Sequence, residues 1–165
     1  LTRDAKMANK YSTLTKQYLN EIFLYKDGDL YWKNTNTKAG FLKNKNYYCV
    51  GLNNQEYKLH RLIYIMMFDD AESLIDHIDC NRLNNKIENL RPTTVLHNNW
   101  NARLKKTNTS GAKGVSWIKR TNNWRVQIRV NGKPKHLGVF KDFELAELVA
   151  IEARNKYHKE WANHI

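Results

Sequence analysis

Acidic residues, cysteines and long apolar runs are all in short supply in this chain of 165 residues. Its two cysteines, Cys49 and Cys80, cannot build a four-cysteine zinc site, and no CxxC pair exists, which argues against structural zinc. No apolar stretch approaches the ~20 residues of a membrane span. No signal-peptide pattern is found, and no long basic amphipathic helix is available to lie on a membrane surface. The remaining sequence reads as cytosolic. Only 16 Asp and Glu oppose 28 Lys and Arg, for a formal charge of +12 and a pI near 9.7. Such a surplus favours a polyanionic partner through phosphate neutralisation and counterion release. With membranes set aside, nucleic acid is the expected partner.

The charge is uneven. Residues 103–165 carry 14 Lys and Arg against 5 Asp and Glu, whereas residues 1–102 carry 14 against 11. A chain of this length holds one ordinary domain or two small ones, neither with a large core. The first Met is Met7, so Leu1 to Lys6 are expected to lie before the natural start. Residues 12–25 carry Leu19, Ile22 and Phe23 at helical spacing, with Ser12 or Thr13 as the cap. KDGD then turns the chain into a short strand at Leu30 to Lys33, followed by a polar loop, NTNTKAG. Tyr47 to Leu52 and Gln55 to Leu59 form a hairpin about Asn53-Asn54. His60 to Phe68 is apolar enough to be a buried helix.

The chemistry concentrates in IDHIDCNRLNNKIENLRPTTVLHNN, residues 75–99. Strand, loop, strand and helix in succession would gather ligands around one cation. Asp76 and His77 lie on the first strand, the second runs near Glu88 to Arg91, and Thr93 or Thr94 caps a helix bearing His97 and Asn98. Imidazole takes a proton from water near neutral pH, while carboxylate and amide oxygens are hard metal ligands. His77 is therefore the candidate general base, with Asp76 and Asn98 as metal ligands. Asn89 would pin the loop and orient the imidazole. His97 is an alternative ligand and His60 a structural or phosphate-facing residue. Asn84 and Asn85 are expected to satisfy backbone groups of the loop.

These residues resemble the HNH endonucleases, particularly the phage and homing-endonuclease branch. The matching pieces are His60-Arg61-Leu62, the DHIDCNRLNN run from Asp76, Glu88-Asn89-Leu90, and Asn98, within roughly residues 47–101. The resemblance implies a ββα-metal nuclease fold, with His77 as general base, Asn89 as the middle Asn of the motif, and Asp76 and Asn98 on one divalent metal. Magnesium is the first choice of metal and manganese the second. Cys80 stands where the family usually has glycine, so a positive φ there would strain the cysteine.

Beyond residues 105–113, which look like a linker, three strands and a helix are expected. They are GVSWIK, WRVQIRV and PKHLGVF, the last two joined by Asn131-Gly132, then a helix capped by Asp142 and running to about Lys159. Ala146, Val149, Ala150, Ala153 and Tyr157 form its apolar stripe. Alternation puts Trp124, Val126, Ile128 and Val130 on one face, and Arg125, Gln127 and Arg129 on the other. The register sets Val130 opposite Lys133, Gln127 opposite His136 and Val126 opposite Leu137. This half resembles the DNA-binding domain of plant ethylene-response factors, on Ser110-Gly111, Gly114-Val115, Trp124, Leu137-Gly138 and the closing helix. The resemblance implies a sheet that enters the major groove, with contacts from Lys113, Ser116, Arg125, Gln127, Arg129 and His136.

The expected architecture is α+β: an HNH nuclease domain over residues 1–104 with its ββα-metal core at about 74–104, a linker at 105–113, and a three-stranded antiparallel sheet on one helix at 114–165. The expected protein is a phage-encoded, monomeric, cytoplasmic nuclease of double-stranded DNA, with no membrane and no small-molecule substrate. Its rivals are a non-catalytic sequence-specific DNA-binding regulator derived from such a nuclease and a structure- or RNA-directed nuclease.

Overall fold

The computed structural model describes residues 10–164, so the expectation for Leu1 to Lys6 lies outside the described residues. The chain divides into two compact units, Leu1–Thr94 and Val95–Ile165.

In the first unit, helix α1 (Lys16–Ile22) starts at Thr15, whose side chain accepts from the Tyr18 N–H. The Asp69 carboxylate accepts from the Lys16 N–H at 2.7 Å, placing negative charge at the positive end of the helix. The helix is shorter than expected. Residues 23–26 form strand β1 (Phe23–Lys26), paired with β2 (Asp29–Trp32). Asp27 and Gly28 both have positive φ, 49° and 90°, so KDGD is the tip of a tight hairpin and draws the end of the expected helix into extended pairing.

The NTNTKAG loop leads to a strand that was not expected, β3 (Phe41–Lys43), at the edge of a sheet with β4 (Tyr47–Leu52) and β5 (Gln55–Lys58). Leu52 pairs with Gln55, and Asn53 and Asn54 sit at φ 51° and 59°. This is the two-residue turn that the asparagine pair implies. Helix α2 (Leu59–Phe68) follows, its first eight residues all buried. Leu59, Leu62, Ile63 and Ile65 pack with Leu19, Phe23, Leu30 and Val50 in the main core. Each such side chain contributes about 1.5–3 kcal/mol through burial. This helix underlies β6 (Leu74–His77), which pairs antiparallel with β7 (Leu90–Thr93).

The loop from β6 to β7 carries Cys80 at φ 57°. A conformation that glycine would take freely is thus imposed on a cysteine.

The second unit begins with α3 (Val95–Asn101), ten residues before the expected linker. The reason is aromatic packing. Trp100 stacks on His158 at 4.3 Å and His97 on Trp161 at 4.7 Å, tying this helix to the C-terminal segment. Residues 105–113 are held as well: the Ser110 hydroxyl lies 2.8 Å from the Val115 carbonyl and 3.0 Å from that of Ala112, within donating distance of either, and Ala112 is buried.

Strands β8 (Val115–Ile118), β9 (Asn123–Val130) and β10 (Lys133–Phe140) form the sheet in the order β10-β9-β8. Helix α4 (Phe143–His158) lies on it, capped by Asp142, whose carboxylate accepts from the Leu145 N–H at 2.7 Å. Val130–Lys133 and Gln127–His136 pair as expected. Val126 pairs with Gly138 instead of Leu137, because a bulge between His136 and Gly138 inserts one residue. Gly138, at φ 148°, absorbs the distortion while Leu137 packs against the core of Ala112, Val115, Val126, Ala146 and Ala150. Arg154 and His158 are buried on α4 beyond the alanine stripe, the former donating to the Lys113 carbonyl at 2.6 Å.

Gly114 has φ 80°, and a Cβ there would lie 2.6 Å from the Gln127 carbonyl oxygen. Gly114→Ala is expected to cost the second unit about 2 kcal/mol, seen as a lower thermal midpoint, while the first unit's melting stays unchanged. Cys80→Gly should have the opposite sign. Relieving the left-handed cysteine should stabilise the first unit by about 0.5–1 kcal/mol in a denaturant titration.

Candidate active site

Pairing of β6 with β7 sets Asp76 opposite Arg91 and His77 opposite Leu90. Asp76 is 8% exposed and His77 4%. Asp76 Oδ2 accepts from Arg91 Nε at 3.4 Å and Nη2 at 3.3 Å. Burying such a pair brings little net stability, since desolvation offsets the attraction. It does hold a carboxylate one residue from the imidazole.

His77 Nε2 stands 3.0 Å from Asn85 Oδ1. With an amide oxygen as acceptor, Nε2 carries the proton and Nδ1 is the basic nitrogen. The ring meets His60 edge-on, with centroids 4.7 Å apart at 69°. Burial lowers the His77 pKa, while the Asn85 hydrogen bond and the Asp76 and Asp79 carboxylates act to raise it. The net result is below the ordinary imidazole value. His60 goes well below it, through burial first and then the neighbouring His77, Lys58 and Arg61. Near neutral pH both rings are uncharged, the form in which His77 can accept a proton.

The loop between the strands is closed by amides. Asn89 Nδ2 donates to Asp79 Oδ1 at 2.9 Å and to the Asn84 carbonyl at 2.8 Å, and Asn89 Oδ1 accepts from the Asp79 N–H at 3.0 Å. Asn84 Nδ2 donates to Asp79 Oδ2 at 2.7 Å. Burial works to raise the Asp79 pKa, but hydrogen bonds from Asn84, Asn81 and Asn89 outweigh it and leave the carboxyl below its ordinary value. Asn89 therefore pins the loop, whereas the imidazole hydrogen bond comes from Asn85. Asn84 and Asn85 spend their side chains on a carboxylate and a ring rather than on backbone groups. The hairpin β1–β2 supports this loop from outside: the Tyr25 hydroxyl accepts from the Ile87 N–H at 3.1 Å, and Lys86 pairs with Asp27 at 3.0 Å.

The structure thus brings Asp76, His77 and Asn89 together in the first unit. It adds Asp79, Asn85 and Arg91, which sequence reasoning did not place at the site. Arg91 was accessible through strand register opposite Asp76; nothing in the spacing distinguished Asn85 from Asn84. Asn98 is exposed on α3 in the second unit, and His97 is stacked on Trp161 and meets Trp100 at a tilt. Among the described residues no group of three or more His, Cys, Asp and Glu could hold a metal ion. The hard donors beside His77 are the oxygens of the Asp76 carboxylate, since the Asn85 and Asn89 amide oxygens are taken by His77 and the Asp79 N–H. They fit a hard divalent cation that keeps much of its own water.

On the second unit, Arg125, Gln127, Arg129 and His136 are all exposed on the sheet face away from α4. Ser116 pairs with Arg125, and its hydroxyl accepts from Arg125 Nε at 3.3 Å. Lys113 does not join this face. Its ammonium donates to the Ala102 carbonyl at 2.5 Å and to the Asn163 carbonyl and side-chain oxygen at 2.9 and 3.0 Å, a structural role in place of the expected DNA contact.

Known proteins bear on this geometry. Protein 3.8 of Escherichia phage T7 is 40% identical over 90 residues, which is 53% of this chain and 72% of that protein. An uncharacterized HNH endonuclease, L560, of Acanthamoeba polyphaga mimivirus is 35% identical over 91 residues, 53% of this chain but only 46% of the relative. A solved structure concerned with DNA binding and cleavage by the HNH homing endonuclease I-HmuI aligns at a TM-score of 0.42 and 20% identity, over 70% of this chain and 71% of that one. That likeness is too slight to carry residue roles across. The HNH endonuclease profile matches residues 57–100, the span from β5 through α3 that contains the His77 site. With 72% of the phage protein covered at 40% identity, and the profile lying over the site itself, the chain belongs to the HNH endonuclease family.

Proposed function

We propose that this protein is a metal-dependent DNA endonuclease in which His77 is the general base. The observation that carries this is the buried imidazole, fixed through Nε2 by Asn85 and adjacent to the Asp76 carboxylate. Water loses its proton to His77 Nδ1 as its oxygen attacks phosphorus, and the phosphodiester bond to the leaving oxygen breaks. Asn85 keeps the ring in one orientation and one tautomer. Asn89 and Asp79 keep the loop in register beneath it. Asp76 would be the metal ligand that this unit offers, with magnesium the cation best suited to a carboxylate and manganese the alternative. When bound, the cation neutralises charge developing on the phosphate and leaving oxygen.

The second unit supplies duplex binding. Arg125, Gln127, Arg129 and His136, with Ser116, form a face without an acid, and Arg and Gln side chains hydrogen-bond base edges bidentately in the major groove. Phosphate contacts by surrounding lysines position the protein without reading sequence.

Incubated with supercoiled plasmid and magnesium, the protein is expected to nick or break it, and chelator should stop the reaction. His77→Ala should lower the rate at least ~100-fold, and Asn85→Ala about 10-fold, with folding verified by circular dichroism. Cutting retained by pure His77→Ala protein would remove the base assignment. DNA binding with no metal-dependent cleavage by the wild type would favour the regulator instead. Arg125→Ala combined with Arg129→Ala should weaken binding to a preferred site more than it slows non-specific cutting at high enzyme concentration. Equal losses in the two assays would contradict the division of labour.

A further inference from the structure

Beside His77, two cations of the first unit share one aromatic ring. Lys58 Nζ sits over the Tyr47 ring at 4.3 Å from its centroid, and the Arg82 guanidinium carbon at 5.1 Å. The same ring stands 5.5 Å from His60 and 6.4 Å from His77. Among the described residues neither Lys58 nor Arg82 makes an ion pair with a carboxylate. Four other cations of this unit do. Lys38 pairs with Asp29, Lys43 with Glu56, Lys86 with Asp27 and Arg91 with Asp76.

The difference matters chemically. A carboxylate both orients a cation and cancels its charge. An aromatic face orients a cation through its quadrupole and leaves the charge intact. Lys58 is also partly buried, and its pKa is lowered by burial first and then by Arg61 and Arg82. A half-buried ammonium near other cations is an unfavourable arrangement for the protein alone. An anion placed there would relieve it. A cavity of about 370 Å³ adjoins Tyr47 and Lys58, lined also by Lys10, by Asn44 and Asn46, and by the paired Lys43 and Glu56.

We propose that Tyr47, Lys58 and Arg82 form a phosphate grip beside His77 for the DNA backbone flanking the bond to be cut. Lys58 and Arg82 contact phosphodiester oxygens, and Tyr47 is the positioning residue that holds both cations without neutralising them. The assignment rests on the nuclease reading, because it takes the backbone approaching His77 as the ligand. The grip differs from the second unit's face in its residues and in its role, since it positions the strand at the chemistry rather than locating a sequence.

The test measures binding of a labelled duplex by the full-length wild-type protein and its variants in chelator, where no cutting occurs, across a series of salt concentrations. Loss of one phosphate contact lowers the slope of log affinity against log salt by about 0.9. Lys58→Ala and Arg82→Ala should each do this, and the double variant should lower it by about 1.8. Lys58→Arg should restore the slope, as should Tyr47→Phe, which keeps the ring. Tyr47→Ala should lower the slope although it removes no charge, a result that loss of packing alone would not give. A single neutral methylphosphonate beside the cut position should weaken wild-type binding and leave the double variant's binding unchanged. That arm separates backbone recognition from capture of free phosphate, which a competition with inorganic phosphate measures directly.

An unchanged slope in a folded double variant, or equal methylphosphonate effects in both proteins, would overturn the grip. Displacement of the duplex by millimolar inorganic phosphate in the wild type alone would likewise replace the backbone with a free anion as the ligand. If the wild-type protein bound no DNA at all, the nuclease reading itself would fall, which is a distinguishable result.

Discussion

The hydrogen-bonded lock between Asn89 and Asp79 is the constraint on which the site depends. Residues 78–89 connect two short strands, and of their few apolar side chains Ile87 packs against the core at the far end of the loop. The rest of the path is fixed by a closed set of polar contacts, in which Asn89 holds both the Asp79 backbone and its carboxylate and also the Asn84 carbonyl. Asn85 follows directly after Asn84, so the lock that places one residue presents the next to His77. Partly buried networks of this kind are worth much when every member is satisfied and are costly when one is missing. The site's precision therefore resides in amides rather than in its titratable groups.

That lock is supported by the apolar part of the first unit. Helix α2 is buried along nearly its whole length and carries His60, whose ring forms the floor against which His77 stands. The β1–β2 hairpin reaches Ile87 through Tyr25 and Lys86 through Asp27, at the far end of the same loop. Core burial thus settles where the strands and helix lie, and a few polar contacts at the rim carry that placement to the functional residues.

Elements with a strong local signal were legible in the sequence. The Asn53-Asn54 and Asn131-Gly132 turns, the buried helix after β5, and the Asp142 cap all follow from residues whose backbone preferences agree with the final fold. The places where the sequence misled share one cause. Leu19, Ile22 and Phe23 have helical spacing, yet the Asp27-Gly28 turn pairs Phe23 to Lys26 with β2, and strand pairing prevails over periodicity. The extra residue at Leu137 depends on how Gly138 bends against Val126, which alternation alone does not encode. At the site, the motif named Asp76, His77 and Asn89. It could not separate Asn84 from Asn85, because neighbouring identical side chains diverge only once the loop is closed. The boundary between the units was misplaced for a related reason: Trp100 and His158 are 58 residues apart in the chain, and their stacking is invisible to a local reading.

The protein's charge takes on more meaning when sorted by how each cation is held. Arg91 is matched to Asp76, and Arg154 and Lys113 are spent on backbone carbonyls. These side chains build the structure and add little to its reach toward a polyanion. Arg125, Gln127 and Arg129 stand on an exposed sheet face, with no acid between them, and Lys58 and Arg82 stand over an aromatic ring. Formal charge alone cannot distinguish these groups, since each Lys and Arg counts equally toward +12. Attraction to nucleic acid depends on the cations left uncompensated and on the rigidity with which they are presented. By that measure the first unit, although nearly balanced in composition, keeps two cations on one aromatic ring 6.4 Å from His77, where the proposed grip would hold a phosphodiester.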